Sequence, residues 1–231
     1  MATHWTRRSF LGTAGAVSSG LAQGPEGAGA SPAKTVKIIG VSCSPRKDRT
    51  TAAALRVCLE AAKGAGPEIE VELIDLGGLK INGDLAAGIP LAAGERDDFP
   101  QIEAKLRGPH VGGIIIGTPV YFSNMSSLCK AFLDRWMAFR GTFALRNKVG
   151  GAVAVGAARN GGQELTLQTM HAAMLCQDMI IVSEGKPTSR LGGILVSTKD
   201  DISKDEAGLA TARSLGRRVA ELALLLRKAG A

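Results

Sequence analysis

The chain has 231 residues, 45% of them hydrophobic and 4% aromatic, with a formal net charge of +7. That is enough apolar material for one sizeable core, and the basic residues are scattered rather than interleaved with aromatics, which argues against nucleic acid and for small anionic ligands. Three histidines (His4, His110, His171) and four cysteines (Cys43, Cys58, Cys129, Cys176) with no C-x-x-C spacing argue against a His-rich metal site, a Ser-His-Asp triad and a disulfide framework.

Residues 1–30 read as a leader. Arg7 and Arg8 precede Ser9, Phe10 and Leu11, then a Gly- and Ala-rich weakly apolar stretch, then Ala28-Gly29-Ala30 as a small-x-small cleavage site. The T-R-R-S-F-L string resembles a twin-arginine export signal. The expectation is a signal over 1–30, a linker over 31–35 and one domain over 36–229, with export to the periplasm or beyond. The alternative is an N-terminal extension on a cytoplasmic protein. The apolar stretch is too short to span a bilayer, so no stable membrane insertion is expected once the signal is removed.

From Val36 the chain alternates between two patterns. Val36–Val41 is a short apolar run, predicted as a buried strand, and Thr50–Lys63 has helical spacing (Ala54, Leu55, Cys58, Leu59, Ala62) ended by Gly64. Ile69–Leu76 alternates as a half-buried strand, residues 77–95 form a Gly- and Ala-rich loop, and a short helix follows near Asp98–Leu106. Val111–Ile116 is a buried strand. Ser126–Arg140 reads as one amphipathic helix with Leu128, Ala131, Phe132, Trp136 and Phe139 on a face. A strand at Val149–Val155, a helix at Gly162–Gln177 and a strand at Met179–Val182 come next. The last helix opens with a capping box, Ser203 to Glu206. Five apolar strands separated by helices imply an α/β fold, a parallel sheet of order 2-1-3-4-5 covered on both faces. Ligands of such sheets bind beyond the carboxyl ends of the strands, which draws attention to the loops after strands 1, 3 and 4.

The first loop, SCSPRKDRTT, allows two readings. Ser42, Ser44, Thr50 and Thr51 supply hydroxyls at a helix N-terminus, a ready anion site, with Arg46 or Arg49 adding charge. Cys43, Arg49 and Thr50 also satisfy C-x5-R-[ST], the phosphate loop of cysteine-dependent phosphatases. That chemistry needs a cradle of consecutive N–H groups, an acidified thiol and an aspartic general acid. Pro45 interrupts the cradle and no Asp-Pro dipeptide occurs in the chain. The second loop, GTPVYFSNMSS, places Tyr121 and Phe122 at the crevice, either as a wall for a planar ring or as ordinary packing. The third, VGAARNGGQELT, combines close-approach glycines with Arg159, Asn160 and Gln163.

Four segments carry a family resemblance: GVSCSPRKDRTT, GTPVYFSNMSSLCKAFLDRW, AVGAARNGGQELTLQTMHAAMLCQDMIIV and DISKDEAGLATARSLGRRVAEL. Together they resemble the NADPH-dependent FMN reductase family, in the branch similar to the iron–sulfur flavoproteins. The resemblance implies a flavodoxin-like three-layer sandwich that binds FMN noncovalently as a homodimer or homotetramer. It assigns the FMN phosphate to Ser42, Ser44, Arg46, Thr50 and Thr51. It assigns the isoalloxazine to Pro119, Val120, Tyr121, Phe122, Ser123 and Asn124, with Arg159, Asn160, Gly161, Gly162 and Gln163 completing the site. No side chain is expected to act as a general acid or base, since the flavin carries the chemistry; Arg159 is the candidate for positive charge near the ring.

Two departures stand out. The family usually has Gly at Cys43 and Gly-Asn at Arg49-Thr50. The iron–sulfur members carry a cysteine cluster after strand 2, whereas LKINGDLAAGIPLAAGERDDFP contains none, so no iron–sulfur centre or other metal is expected. The implied function is hydride transfer from NAD(P)H through FMN to a small acceptor such as a quinone or free flavin. The alternative is an exported FMN-binding electron carrier without NAD(P)H turnover, because a pyridine nucleotide donor is not expected outside the cytoplasm.

Overall fold

A computed structural model describes residues 35–230; the expected leader and residues 31–34 of the linker lie outside the described residues. The chain builds β1 (Val36–Ser42), α1 (Thr50–Lys63), β2 (Ile69–Asp75), α2 (Phe99–Leu106) and β3 (Val111–Pro119). It continues through α3 (Ser127–Asp134), α4 (Met137–Arg140), β4 (Val149–Gly156), α5 (Gln163–Leu175), β5 (Ile180–Ile181), β6 (Gly193–Val196) and α6 (Glu206–Lys228). The sheet runs β2-β1-β3-β4-β5, as expected, with β6 also paired to β4 and every pairing parallel.

Side chains alternate across the pleat and divide the core in two. Ile38, Ile115, Val153 and Val155 face α1 and α6, meeting Leu55, Leu59, Leu215 and Val219. Ile39, Val41, Ile114 and Ile116 face the other way, onto Phe99, Phe132 and Met170 of α2, α3 and α5. The first layer is drawn tight at Gly216, where a Cβ would lie 1.8 Å from the Cys58 carbonyl oxygen. The second is filled by aromatic rings: Phe99 sits 6.1 Å from both Phe132 and Phe139, and Trp136 stands edge-on to Phe132 at 5.7 Å. No described helix is long and apolar enough to cross a membrane.

Four expectations are corrected. The helix expected over Ser126–Arg140 is two, α3 and α4, broken at Arg135, whose guanidinium donates to Asp97 at 2.6 Å and to the Asn82 carbonyl at 3.1 Å. The break preserves the buried aromatic face. Within the loop expected at 77–95, Gly83–Ala87 forms a 3-10 turn that the Asn82 side chain caps through the Asp84 N–H. The capping box at Ser203 does not form, because the Asp201 carboxylate takes the Ser203 hydroxyl at 2.6 Å; Asp205 caps α6 instead, accepting from the Gly208 N–H at 3.0 Å. Finally, β6 is a strand that the sequence reading lacked. It pairs Val153–Gly156 with Gly193–Val196, while β5 shrinks to two residues against Val149 and Gly150.

Candidate functional site

The strand registers set the carboxyl ends of four strands side by side: Ser42 of β1 beside Gly117 of β3, Pro119 beside Val155 of β4, and Gly156 beside Val196 of β6. The loops leaving these ends form the candidate site.

In the first loop Ser42, Ser44, Thr50 and Thr51 are all buried. The position of Gly40, whose absent side chain would meet Leu59 of α1, fixes that face of β1 as the α1 side, and Ser42 shares it by alternation. Ser42 Oγ is buried without a hydrogen-bond partner. Just beyond it α1 begins at an extended Arg49 that makes no side-chain cap, and its first turn contains no acidic residue. An orphaned hydroxyl beside uncapped helix N–H groups is a pair of donors in want of an anion. The loop is held from below by Asp75, whose carboxylate accepts from the N–H groups of Asp48 (2.7 Å) and Gly77 (3.1 Å).

Cys43 answers the phosphatase reading. Its thiol is fully buried, in the cluster shared with Cys129, and burial together with the adjacent Cys129 thiol pushes its pKa well up. An attacking thiolate needs exposure and a depressed pKa. The geometry is the reverse. What Cys43 does is connect the loops: its N–H donates to the Gly117 carbonyl at 2.7 Å, and its own carbonyl accepts from Ser126 Oγ at 2.7 Å. Ser126 also accepts from the Cys129 N–H at 3.1 Å to cap α3, while its N–H donates to Thr118 Oγ1 at 3.0 Å. A single serine thereby ties the first two loops to a helix.

The second loop is a tight hairpin. Tyr121 and Asn124 exchange backbone hydrogen bonds at 2.8 and 3.0 Å around Phe122 and Ser123, which both have φ above zero (50° and 59°). Phe122 stands fully exposed at the tip and Tyr121 is 45% exposed. Val120 extends the sheet by donating to the Val155 carbonyl at 2.9 Å. The hairpin also borders a cleft of about 760 Å³ between α3 and α5, lined further by Met125, Leu133 and Ala173. Asn124 turns toward that side, accepting from Thr169 Oγ1 at 3.2 Å.

The third loop meets the second at one point. Gly162 has φ +92° and lies so close to the hairpin that a Cβ would fall 2.4 Å from Ser123 Oγ. Only glycine fits both the conformation and the gap. Asn160 is exposed beside it. Gln163 and Arg159 both have partners within the protein. Gln163 is fully buried, its Nε2 donating to the Ala158 carbonyl (2.6 Å) and its Oε1 accepting from the Gly161 N–H (2.9 Å), so its amide shapes the loop. Arg159 is paired with the nearly buried Asp205 carboxylate that caps α6, which offsets the charge it was expected to bring to a ring. Arg46 is likewise drawn aside, to Asp200 at 2.8 Å.

Asp200 belongs to a fourth loop, after β6, that sequence reasoning missed along with the strand. It is a second tight turn, with Lys199 and Asp200 at φ 52° and 61° and Thr198 bridged to Asp201. The apolar run Ile194–Val196 after two glycines was the available signal. Asp75, Ser126 and Asp205 were missed too, because each also bonds a backbone group further off in the chain: the Asp48 N–H, the Cys43 carbonyl and the Val196 N–H respectively. Among the described residues, no group of three or more His, Cys, Asp or Glu is placed to hold a metal.

A doubly covered parallel sheet with an anion-ready β1–α1 loop, an aromatic hairpin after β3 and a glycine-tight loop after β4 defines an α/β protein of flavodoxin-like form. Comparison with known proteins carries this further: the chain belongs to the NADPH-dependent FMN reductase family, which it matches over residues 36–190. It is 42% identical over 197 residues to an iron–sulfur flavoprotein of Methanocaldococcus jannaschii, covering 84% of this chain and 100% of the relative. An iron–sulfur flavoprotein of Methanosarcina thermophila is 34% identical, with 84% and 98% covered. Among solved structures, a flavodoxin-type WrbA-like protein of Agrobacterium tumefaciens superposes with a TM-score of 0.56 at 22% identity, covering 83% and 99% of the two chains. That likeness establishes the fold.

Proposed function

We propose that this FMN-dependent oxidoreductase takes reducing equivalents from NAD(P)H and passes them to a small acceptor of the quinone or free-flavin type. The observation that carries the reading is the unpartnered Ser42 hydroxyl beside the uncapped start of α1. FMN, when bound, supplies the capacity to accept and release a hydride. The chain's own residues do the rest. Ser42, Ser44, Thr50 and Thr51 with the first N–H groups of α1 hold the phosphate, with Arg46, which also meets Asp200, or Arg49 adding a cation. The hairpin at Tyr121–Asn124 offers an aromatic wall, and the contact between Ser123 and Gly162 fixes its distance from the third loop.

The chain works with flavin alone in this reading, since the segment after β2 that carries cluster cysteines in similar proteins has none here. Stoichiometric iron in the purified protein would sink that part. We also propose export by the twin-arginine route and assembly as a homodimer or homotetramer, to which the exposed Phe122 and Leu175 are suited; sedimentation equilibrium tests the latter. The deciding experiment is the visible spectrum of FMN-loaded protein before and after anaerobic NADPH, followed by turnover with a quinone. Bleaching and turnover support the reductase. Flavin bands that NADPH leaves untouched point to an electron carrier with another donor, and failure to bind FMN overturns both.

A further inference from the structure

The excursion between β5 and β6 leaves a cleft of about 750 Å³ against α6, lined by Lys186 on the loop side and by Arg213, Arg217 and Arg218 on the helix. Several cations elsewhere are drawn into ion pairs, among them Arg135 with Asp97, Arg107 with Glu103 and Arg146 with Asp178. The four around this cleft are exposed and have no ion-pair partner among the described residues. Arg213 and Arg217 stand one turn apart on the same helix face, with Glu221 a further turn on, so two like charges adjoin along the recess and a single carboxylate stands at its far end.

The remaining lining suits an anion too. Ala210 and Ser214 are small, so the helix surface between the arginines is recessed, and Ser183 and Ser214 add hydroxyl donors. Two carboxylates border the cleft. Glu221 is exposed on the rim. Glu184 is buried and turned into its own loop, where its Oε1 accepts from the Arg190 N–H, and burial raises its pKa. The cleft spans Ala210 to Glu221, whereas α6 meets the third loop at its cap, Asp205. At 1.5 Å per residue the cleft therefore lies roughly 8 to 24 Å along the helix from the candidate flavin loops.

We propose that this cleft is a second binding site, for a phosphate-bearing small anion of nucleotide size, separate from the flavin site. Guanidinium groups match phosphate oxygens two at a time, and the volume lies within the ordinary range for small-molecule pockets. A flat membrane surface would meet the arginines best on a convex face. Here they flank a recess.

The test is titration calorimetry on FMN-saturated protein, freed of excess FMN, with inorganic pyrophosphate and ADP as probes. Saturable binding is expected, weakening as salt rises and falling about tenfold or more in Arg213→Gln/Arg217→Gln, while FMN affinity and melting temperature stay unchanged. ADP binding tighter than pyrophosphate assigns a nucleotide; equal affinities assign the phosphate group alone. Either supports the site. No saturable binding of either probe overturns it, as does binding that the double variant retains, which would place the anion elsewhere. Binding only to phosphatidylglycerol vesicles would reassign the arginines to a membrane surface.

Discussion

Ser42 carries more of the functional reading than any other side chain, and it makes an unusual prediction. Removing a satisfied buried hydroxyl destabilises a fold, but Ser42 Oγ has no partner to lose. Ser42→Ala is therefore expected to leave the melting temperature of the flavin-free protein unchanged or slightly raised. FMN affinity, measured by fluorescence quenching, should fall about tenfold, equivalent to about 1.4 kcal/mol for a lost hydrogen bond to a charged group. A drop in stability with unchanged affinity would make Ser42 structural. The cysteines give a second check at this scale. Cys43, Cys58 and Cys129 are buried and Cys176 is exposed. Burial pushes Cys43 well up and Cys58 up to about 12. One thiol per chain should thus react promptly with a disulfide reagent in native protein, and the other three only on unfolding; rapid labelling of Cys43 would reopen the nucleophile reading.

Among the elements, the contact of α1 with α6 is the least tolerant. At Gly216 the two helices approach until a methyl group would overlap the Cys58 carbonyl, and neither backbone can yield without moving its helix. Gly216→Ala gains helix propensity, about 1 kcal/mol at an unhindered site, yet overpacking here costs about 1–3 kcal/mol or more. The net expectation is a loss of stability in urea unfolding. A stabilised variant would mean the helices separate freely. Because α1 also presents its first turn to the phosphate loop, the same variant should weaken FMN binding as the helix is displaced.

For the whole molecule, one contribution to acid stability comes from a carboxylate that joins three elements. Glu72 of β2 accepts from Lys105 of α2 at 2.7 Å and from Lys37 of β1 at 3.3 Å, and the Lys105 contact leads in holding its pKa below the ordinary 4.5. A folded pKa below the unfolded one means the contribution is complete above about pH 4.5 and disappears as pH falls through the folded value. The cluster is largely solvent-facing, so its worth is within about 1 kcal/mol. Glu72→Gln should lower the melting temperature at neutral pH by about 2–4 °C and flatten its decline below pH 4.5; parallel curves would refute the linkage.

The global plan was legible because β1, β3 and β4 are unbroken apolar runs and α1 is cleanly periodic. The features that escaped depend on particular partners: Arg135, where the helix breaks, pairs with Asp97, and Asp201 takes the Ser203 hydroxyl from the cap. At the site, the hydroxyl positions of the first loop could be read from residue type alone. The partners of Gln163 and Arg159 could not, since they are the Ala158 carbonyl and the Asp205 carboxylate.

The division of the last sheet edge into β5 and β6 has a consequence for life in a crowded solution. Pairing along β4 stops after Gly150 and resumes at Val153, so that edge presents two residues, then an excursion, then four. A stray strand from another molecule finds no continuous row of free amides there to zip onto. The opposite edge, β2, is seven residues long and carries two carboxylates, Glu70 exposed and Glu72 tied to Lys37 and Lys105. Those charges disappear in acid. Fibrous aggregation, if provoked, should therefore begin at β2 and at low pH, with β5 and β6 as bystanders.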